Sequence, residues 1–359
     1  MSRQLLVGTR KGLHTYEYDN GKWCFVRENF RGVPVSFATA DPRHGTLWAC
    51  LDHGHWGTKL HRSTDEGRSW EEIPAPRYPL DSLRPDGQPA ATSYLWIVQP
   101  GGNDQPQRLY IGTEPGGLFQ SDDGGDSFQL VESLWQHSSR ENWFGGGRDH
   151  PGLCSICVDP RDSNHIVAGI SVGGVYETFD GGESWEGRNK GLYADYLPDP
   201  YAAYGHDPHF MVMSPSNPEV LWQQNHCGVF RTADGAQNWE NISQAGGPVY
   251  FGFPITIDPK DANVAWVVPA VDAEFRVPVD GALCVCRTDD GGKSWKDFRA
   301  GLPQENCYDV VFRHALDVRG DSLIMGTVNG NLYLSEDRGE SWCSLTHNLA
   351  TVYSVRFVG

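Results

Sequence analysis

Six histidines fall in short segments where one strand-like run ends or another begins. They are His53 and His55 in Leu51-Asp-His-Gly-His-Trp56, His150 in Gly147-Arg-Asp-His-Pro151, His206 and His209 in Gly205-His-Asp-Pro-His-Phe210, and His226 in Gln223-Gln-Asn-His-Cys-Gly228. Glu114 holds the matching place in Ile111-Gly-Thr-Glu-Pro115. Neutral imidazoles that converge with a carboxylate or an amide can hold a divalent cation. His150, His206, His209 and His226, with Gln223 or Glu114, are the residues expected to do so. Without a metal the same imidazoles would serve as general acids or bases, because their unperturbed pKa lies near neutrality. The structural alternative is that they fill strand ends with hydrogen bonds.

Around these histidines lie carboxylates, arginines and aromatics of the same segments. Glu114, Asp149, Asp207 and Glu274 are the acid/base candidates. Arg10, Arg31, His53, His55, Trp143, Arg148, Tyr204 and Arg276 are the candidate substrate contacts, with aromatic faces suited to stacking on sugar rings. A glycosidase using two of the carboxylates would need them about 5–5.5 Å apart to retain configuration, or about 6.5–9.5 Å apart to invert it.

The elements that must position these groups come from a repeat. A turn pattern, Ser/Thr-x-Asp-x-Gly-x-Ser-Trp, recurs at Asp65, Asp123, Asp180, Asp234, Asp290 and Asp337, with a weaker copy at Asp19. The Asp accepts hydrogen bonds from the backbone of a tight turn, Gly supplies positive φ, and the aromatic buries a large face beside it. The box aromatics at 23, 70, 128, 185, 239, 295 and 342 are spaced by 47 to 58 residues. Alternating runs before each box make every unit a four-stranded meander. Seven such units predict a seven-bladed β-propeller, all-β, as a single domain over residues 1–359. The first unit holds only three strands, at 4–10, 13–18 and 22–27, and a strand at 352–358 is left over. Their pairing would close the ring and remove its exposed edges.

Each box joins the third strand of a unit to the fourth, so all boxes lie on one face. The other face receives the long segments 74–93, 132–152, 187–209 and 272–281, and the candidate chemistry falls there.

Composition narrows the partners. The 359 residues include 42 Gly, 23 Pro and 13 Trp, and 29 Lys+Arg stand against 46 Asp+Glu, for a formal charge of −17. Such a surface repels phosphate backbones and anionic membranes, so the expected partner is a small molecule or glycan, with no nucleic acid and no membrane. No apolar run reaches the roughly 20 residues of a membrane helix. The first strand-like run begins beside Met1 without the regions of a signal peptide, so the chain is expected in the cytoplasm. Nine cysteines then read as reduced, mostly buried small hydrophobes.

The boxes resemble the Asp-box, or BNR, repeat of sialidases and other glycoside hydrolases, xyloglucanases, sortilin-type receptors and photosystem II assembly factors. The opening Gly8-Thr-Arg-Lys-Gly-Leu13 is similar to that of bacterial sialidase-like BNR-repeat proteins. The resemblance spans all units and implies the propeller; the boxes themselves are turns shared by unrelated activities. Sialidases clamp a carboxylate with three arginines, the first in a Tyr/Phe-Arg-Ile-Pro motif, and Phe30-Arg-Gly-Val-Pro34 matches it with one extra residue. Three readings follow: a hydrolase or lyase for a carbohydrate or acidic small molecule, a metal-dependent enzyme with His ligands, and a non-catalytic binding or assembly propeller.

Overall fold

Residues 3–243 and 247–359 are described by a computed structural model. Seven four-stranded antiparallel sheets form a ring of blades, all-β as the repeat predicts. The inner strands of blades 1 to 7 are Val352–Val358, Val35–Ala40, Tyr94–Pro100, Gly152–Asp159, Pro208–Met213, Gly252–Asp258 and Leu316–Arg319, and each packs on the next around the ring. Blade 1 combines both ends of the sequence: Val352–Val358 pairs antiparallel with Gln4–Thr9, which is followed outward by Gly12–Asp19 and Lys22–Asn29.

The repeated turns make the bonds that their residue types dictate. In blade 4, Thr178 Oγ1 donates to Asp180 Oδ1 at 2.7 Å and accepts from the Gly182 amide at 3.0 Å. Asp180 also accepts from the Ser184 amide and hydroxyl, at 2.9 and 2.5 Å. The same set recurs at Asp65, Asp123, Asp290 and Asp337; at Asp234, where Ala236 replaces the Gly and Asn238 the Ser, Asp234 accepts from Thr232 Oγ1 and from the Asn238 amide and side chain. The weak first copy is a different device, a two-residue Asn20-Gly21 hairpin with positive φ at both residues.

Adjacent blades lock through these turns. Gly125, at φ 95°, lies so close to Trp48 of the preceding blade that a Cβ would stand 2.5 Å from the indole, so glycine is required both for conformation and for space. Trp266 of blade 6 donates its indole N–H to the Arg338 carbonyl in the turn of blade 7, 2.9 Å away. Trp48, Trp222 and Trp266 are fully buried in this way. Seven of the nine cysteines are buried, whereas Cys24 and Cys343 sit on outer strands and are exposed, and none is disulfide-bonded.

Candidate functional site

Each inner strand begins at the end of the ring opposite the repeated turns. Six of the seven carry a β-bulge there, where one residue has no partner on the second strand. The bulged residues are Ser36, Trp96, Cys154, His209, Phe253 and Tyr353, with Pro254 beside Phe253. A bulge re-aims the side chain that ladder alternation would send elsewhere. All but Cys154 line one cavity of about 340 Å³ at the mouth of the ring. The volume lies in the range of small-molecule sites.

Below this cavity the axis is partitioned. His314 is wedged edge-on between Phe37 and Phe210, with ring centroids at 5.0 and 4.7 Å, and its Nε2–H donates to the Cys154 carbonyl at 3.0 Å. A separate cavity, lined by inner-strand residues such as Val98, Ile156 and Met211, lies beyond Phe37 and Phe210. Burial and the neighbouring Arg356 push the His314 imidazole well below its usual pKa, so it is a neutral plug.

Among the described residues, Asp207 is the one carboxylate lining the mouth cavity. Its Oδ1 accepts from Ser171 Oγ at 2.6 Å and from the Val172 amide at 3.3 Å. Its Oδ2 faces His209 Nε2 at 3.3 Å and His226 Nδ1 at 3.5 Å. Burial opposes ionisation of Asp207, but His209, His226 and Arg313 outweigh it and hold the carboxyl well below the usual range. Burial in turn pushes the His209 imidazole down. The His209 Nδ1 lies 2.6 Å from the Gly252 carbonyl, which fixes a proton on that nitrogen. Among the described residues, Asp207, His209 and His226 form the one group of three His, Cys, Asp or Glu side chains close enough to share a metal ion.

Three arginines from different segments reach the same cavity: Arg148, Arg276 and Arg313. Arg148 is ion-paired with Glu114 and lies 4.2 Å from the Tyr94 ring centroid. Arg276 and Arg313 both lie 5.5 Å from the Phe253 ring centroid, and neither has a carboxylate within 4.0 Å among the described residues. Arg313 Nη2 is 3.4 Å from Ser171 Oγ, one hydroxyl away from Asp207.

The structure therefore brings together Asp207, His209, His226, Arg148 and Arg276, with His150 at the rim, where its Nε2 is 2.7 Å from Arg84 Nη1. Other expected residues stand apart. His206 contacts the Ala202 carbonyl at 2.7 Å and Gln223 accepts from Asn225 inside its strand, so neither joins His209 and His226 as a ligand. Gln223 is held in the ladder opposite Met211 and His206 precedes the strand, whereas His209 is the unpaired bulge residue that lines the mouth. Glu114 is buried behind Arg148, and Asp149 lines a neighbouring groove. Glu274 is exposed on its loop.

Arg31 is ion-paired with Glu28 on the outside, and Arg10, His53, His55 and Tyr204 lie outside the cavity lining. Trp143 is a buried packing residue whose indole donates to the Tyr176 hydroxyl at 2.7 Å. The residues that the sequence does not mark are Arg313, His314, Trp96, Phe251, Phe253 and Tyr353. Their common signal is position, one to three residues before or at the first turn of an inner strand, and it is readable only once strand starts are known.

No protein-family model matches the chain. Over 273 residues it is 24% identical to an oligoxyloglucan-reducing end-specific xyloglucanase of Emericella nidulans, a match covering 66% of this chain and 30% of that protein. The chain thus spans less than a third of the length of this relative. Among solved structures, an ancestral GH74 enzyme superposes with a TM-score of 0.60 at 19% identity, covering 90% of this chain and 38% of that one. YCF48 bound to D1 peptide superposes at 0.55 and 17% identity, covering 92% and 88%. These likenesses are of fold alone: the seven-bladed ring of this chain superposes on a GH74 enzyme and on YCF48.

Proposed function

We propose that the chain is a carbohydrate-active enzyme, a hydrolase or lyase, that takes a small acidic, ring-bearing substrate at the mouth cavity. The observation that carries this reading is the pair Arg276 and Arg313, two guanidinium groups without carboxylate partners among the described residues, directed into one cavity of a chain with net charge −17. Retaining cations there while the rest of the surface is acidic favours an anionic group on the ligand, since guanidinium matches carboxylate geometry and remains charged. The walls supplied by Trp96, Phe251, Phe253 and Tyr353 suit the apolar faces of a ring. The similarity to a xyloglucanase supports a glycan-related substrate. Asp207, with His209 and His226, is the ionisable floor on which charge or a proton would be handled.

Among the described residues, the mouth has one carboxylate on its wall, and Glu114 is held by Arg148. A mechanism requiring two free carboxylates is thus less well served than one in which imidazoles share the work. The YCF48 likeness supports the other reading, a propeller that binds a peptide; the blind, cation-lined cavity favours a small ligand instead.

Calorimetric titration of the protein with a hexuronic acid and with the corresponding neutral hexose tests this reading. The acid should bind at least tenfold more tightly and raise the melting temperature. Equal binding of the two, or binding of neither, overturns it.

A further inference from the structure

We infer that Asp207, His209 and His226 hold a divalent transition cation of the zinc–manganese class, with its open coordination positions facing the mouth cavity. This rests on the proposed reading of that cavity as the site of chemistry and names what completes it.

Hydrogen bonds between imidazole and carboxylate of opposite charge run at about 2.7–2.9 Å. The Asp207 Oδ2 distances to His209 Nε2 and His226 Nδ1 are longer, 3.3 and 3.5 Å, in a region packed tightly enough to bury Asp207 and His209 almost completely. Two ligands on a tetrahedral cation with bonds of about 2.0–2.1 Å are separated by about 3.3 Å. The three donor atoms lie within 4.8 Å of one another, so they mark one face of a coordination polyhedron.

The protons lead to the same place. The His209 Nδ1 proton is committed to the Gly252 carbonyl, so Nε2 is the ring nitrogen turned towards Asp207 and the one placed to be a ligand. Second contacts are those that metal ligands use: a backbone carbonyl orients His209, and Ser171 and the Val172 amide fix the other carboxylate oxygen. Two imidazoles, one carboxylate and no thiolate suit zinc, manganese or iron(II) rather than copper(I) or calcium. Three protein ligands leave positions for water and substrate, and the cavity lies on that open side.

Protein purified without chelators, stripped and dialysed, and then titrated with Zn²⁺ alone and Mn²⁺ alone provides the test. One equivalent of at least one of the two should bind, with a rise in melting temperature. His226→Gln, at the half-exposed ligand, should weaken that binding at least tenfold while keeping the near-ultraviolet circular dichroism of the wild type. His150→Ala should bind as the wild type does. Absence of stoichiometric binding of either cation, or undiminished binding in both His226→Gln and Asp207→Asn, overturns the assignment. Hexuronate titration in the presence of chelator separates the two readings: acid-selective binding that persists without any metal binding removes the cation and leaves the proposed substrate class, whereas metal binding without acid selectivity does the reverse.

Discussion

At one end of the ring, six aspartates spend both carboxylate oxygens on their own turns: Asp65, Asp123, Asp180, Asp234, Asp290 and Asp337 each accept from the Ser/Thr before them and from the Ser or Asn after them. At the other end, Asp207 ties down one oxygen and turns the second towards two imidazoles. The residue type is the same and the local electrostatics differ. A turn aspartate is satisfied within five residues of chain, so its chemistry is used up in holding strands together. Asp207 meets Ser171, His226 and Arg313 from three other segments, with the bulged His209 two residues on, and is left with capacity that the fold does not consume. Unspent polar capacity in a cavity is the physical signature of a site.

The contrast can be broken by substitution at either end. The largest effect belongs to the mouth: Arg313→Met should lower hexuronate affinity about tenfold to a hundredfold, the weight of one charge-assisted hydrogen bond, with a melting temperature close to that of the wild type. Calorimetry against a melting curve separates the two quantities. Loss of stability without loss of affinity would mean that Arg313 is a packing residue.

Thr178→Val, at the turn end, should behave in the opposite way. It leaves the Gly182 and Asp180 amides without their acceptor and should destabilise the protein by about 1–2 kcal/mol in denaturant titration, with hexuronate binding unchanged. A binding defect in this variant would show that the two ends are coupled.

Acid should act on the turn end. Hydrogen bonds from Ser127 to Asp123 and from Ser294 to Asp290 lower both carboxyl pKa values to about 2. A depressed folded-state pKa stabilises above the unfolded value, near 3.9, and the contribution is lost as pH falls towards about 2. Melting temperature should therefore decline between about pH 4 and pH 2, and less steeply in Asp123→Asn.

His165 gives the opposite sign. Burial acts to lower its pKa, but hydrogen bonds to Glu177 and Asp159, at 2.8 and 2.9 Å, outweigh this and raise it. Its stabilisation is complete below the unfolded value of about 6.5 and is lost as pH rises through the folded one. The melting-temperature advantage of wild type over His165→Gln should be greatest near pH 6 and shrink towards pH 9.

The smallest effect is expected at Arg31, whose side chain is 85% exposed and pairs with Glu28. Arg31→Ala should change stability by less than about 0.5 kcal/mol and leave hexuronate affinity unaltered. A clear affinity loss would extend the site to the outer rim.

Much of this contrast is legible in the residues alone. The Asp-x-Gly turns are local, with donor, acceptor and turn residue all within a few positions, so six units are legible from them, and Trp23 with the strand left over at 352–358 marks the seventh. The segment Gly205-His-Asp-Pro-His-Phe210 likewise marks itself by its density of ionisable groups. What it cannot reveal is which of those groups turn inward. Asp207 precedes the strand and is held by Ser171, and the bulge at His209 takes that residue out of the ladder, so both meet at the mouth.

The sequence by itself thus determined the architecture, because six of the blades are closed by turns among near neighbours, and the three strands at the start with the one left over at the end complete the seventh. Tertiary structure alone decided the site. The bulges arise where six inner strands crowd together at the mouth, and Arg313, Phe253 and Trp96 meet there from segments up to 217 residues apart. Contacts of that range depend on the closed ring and leave no periodicity in the chain from which to read them.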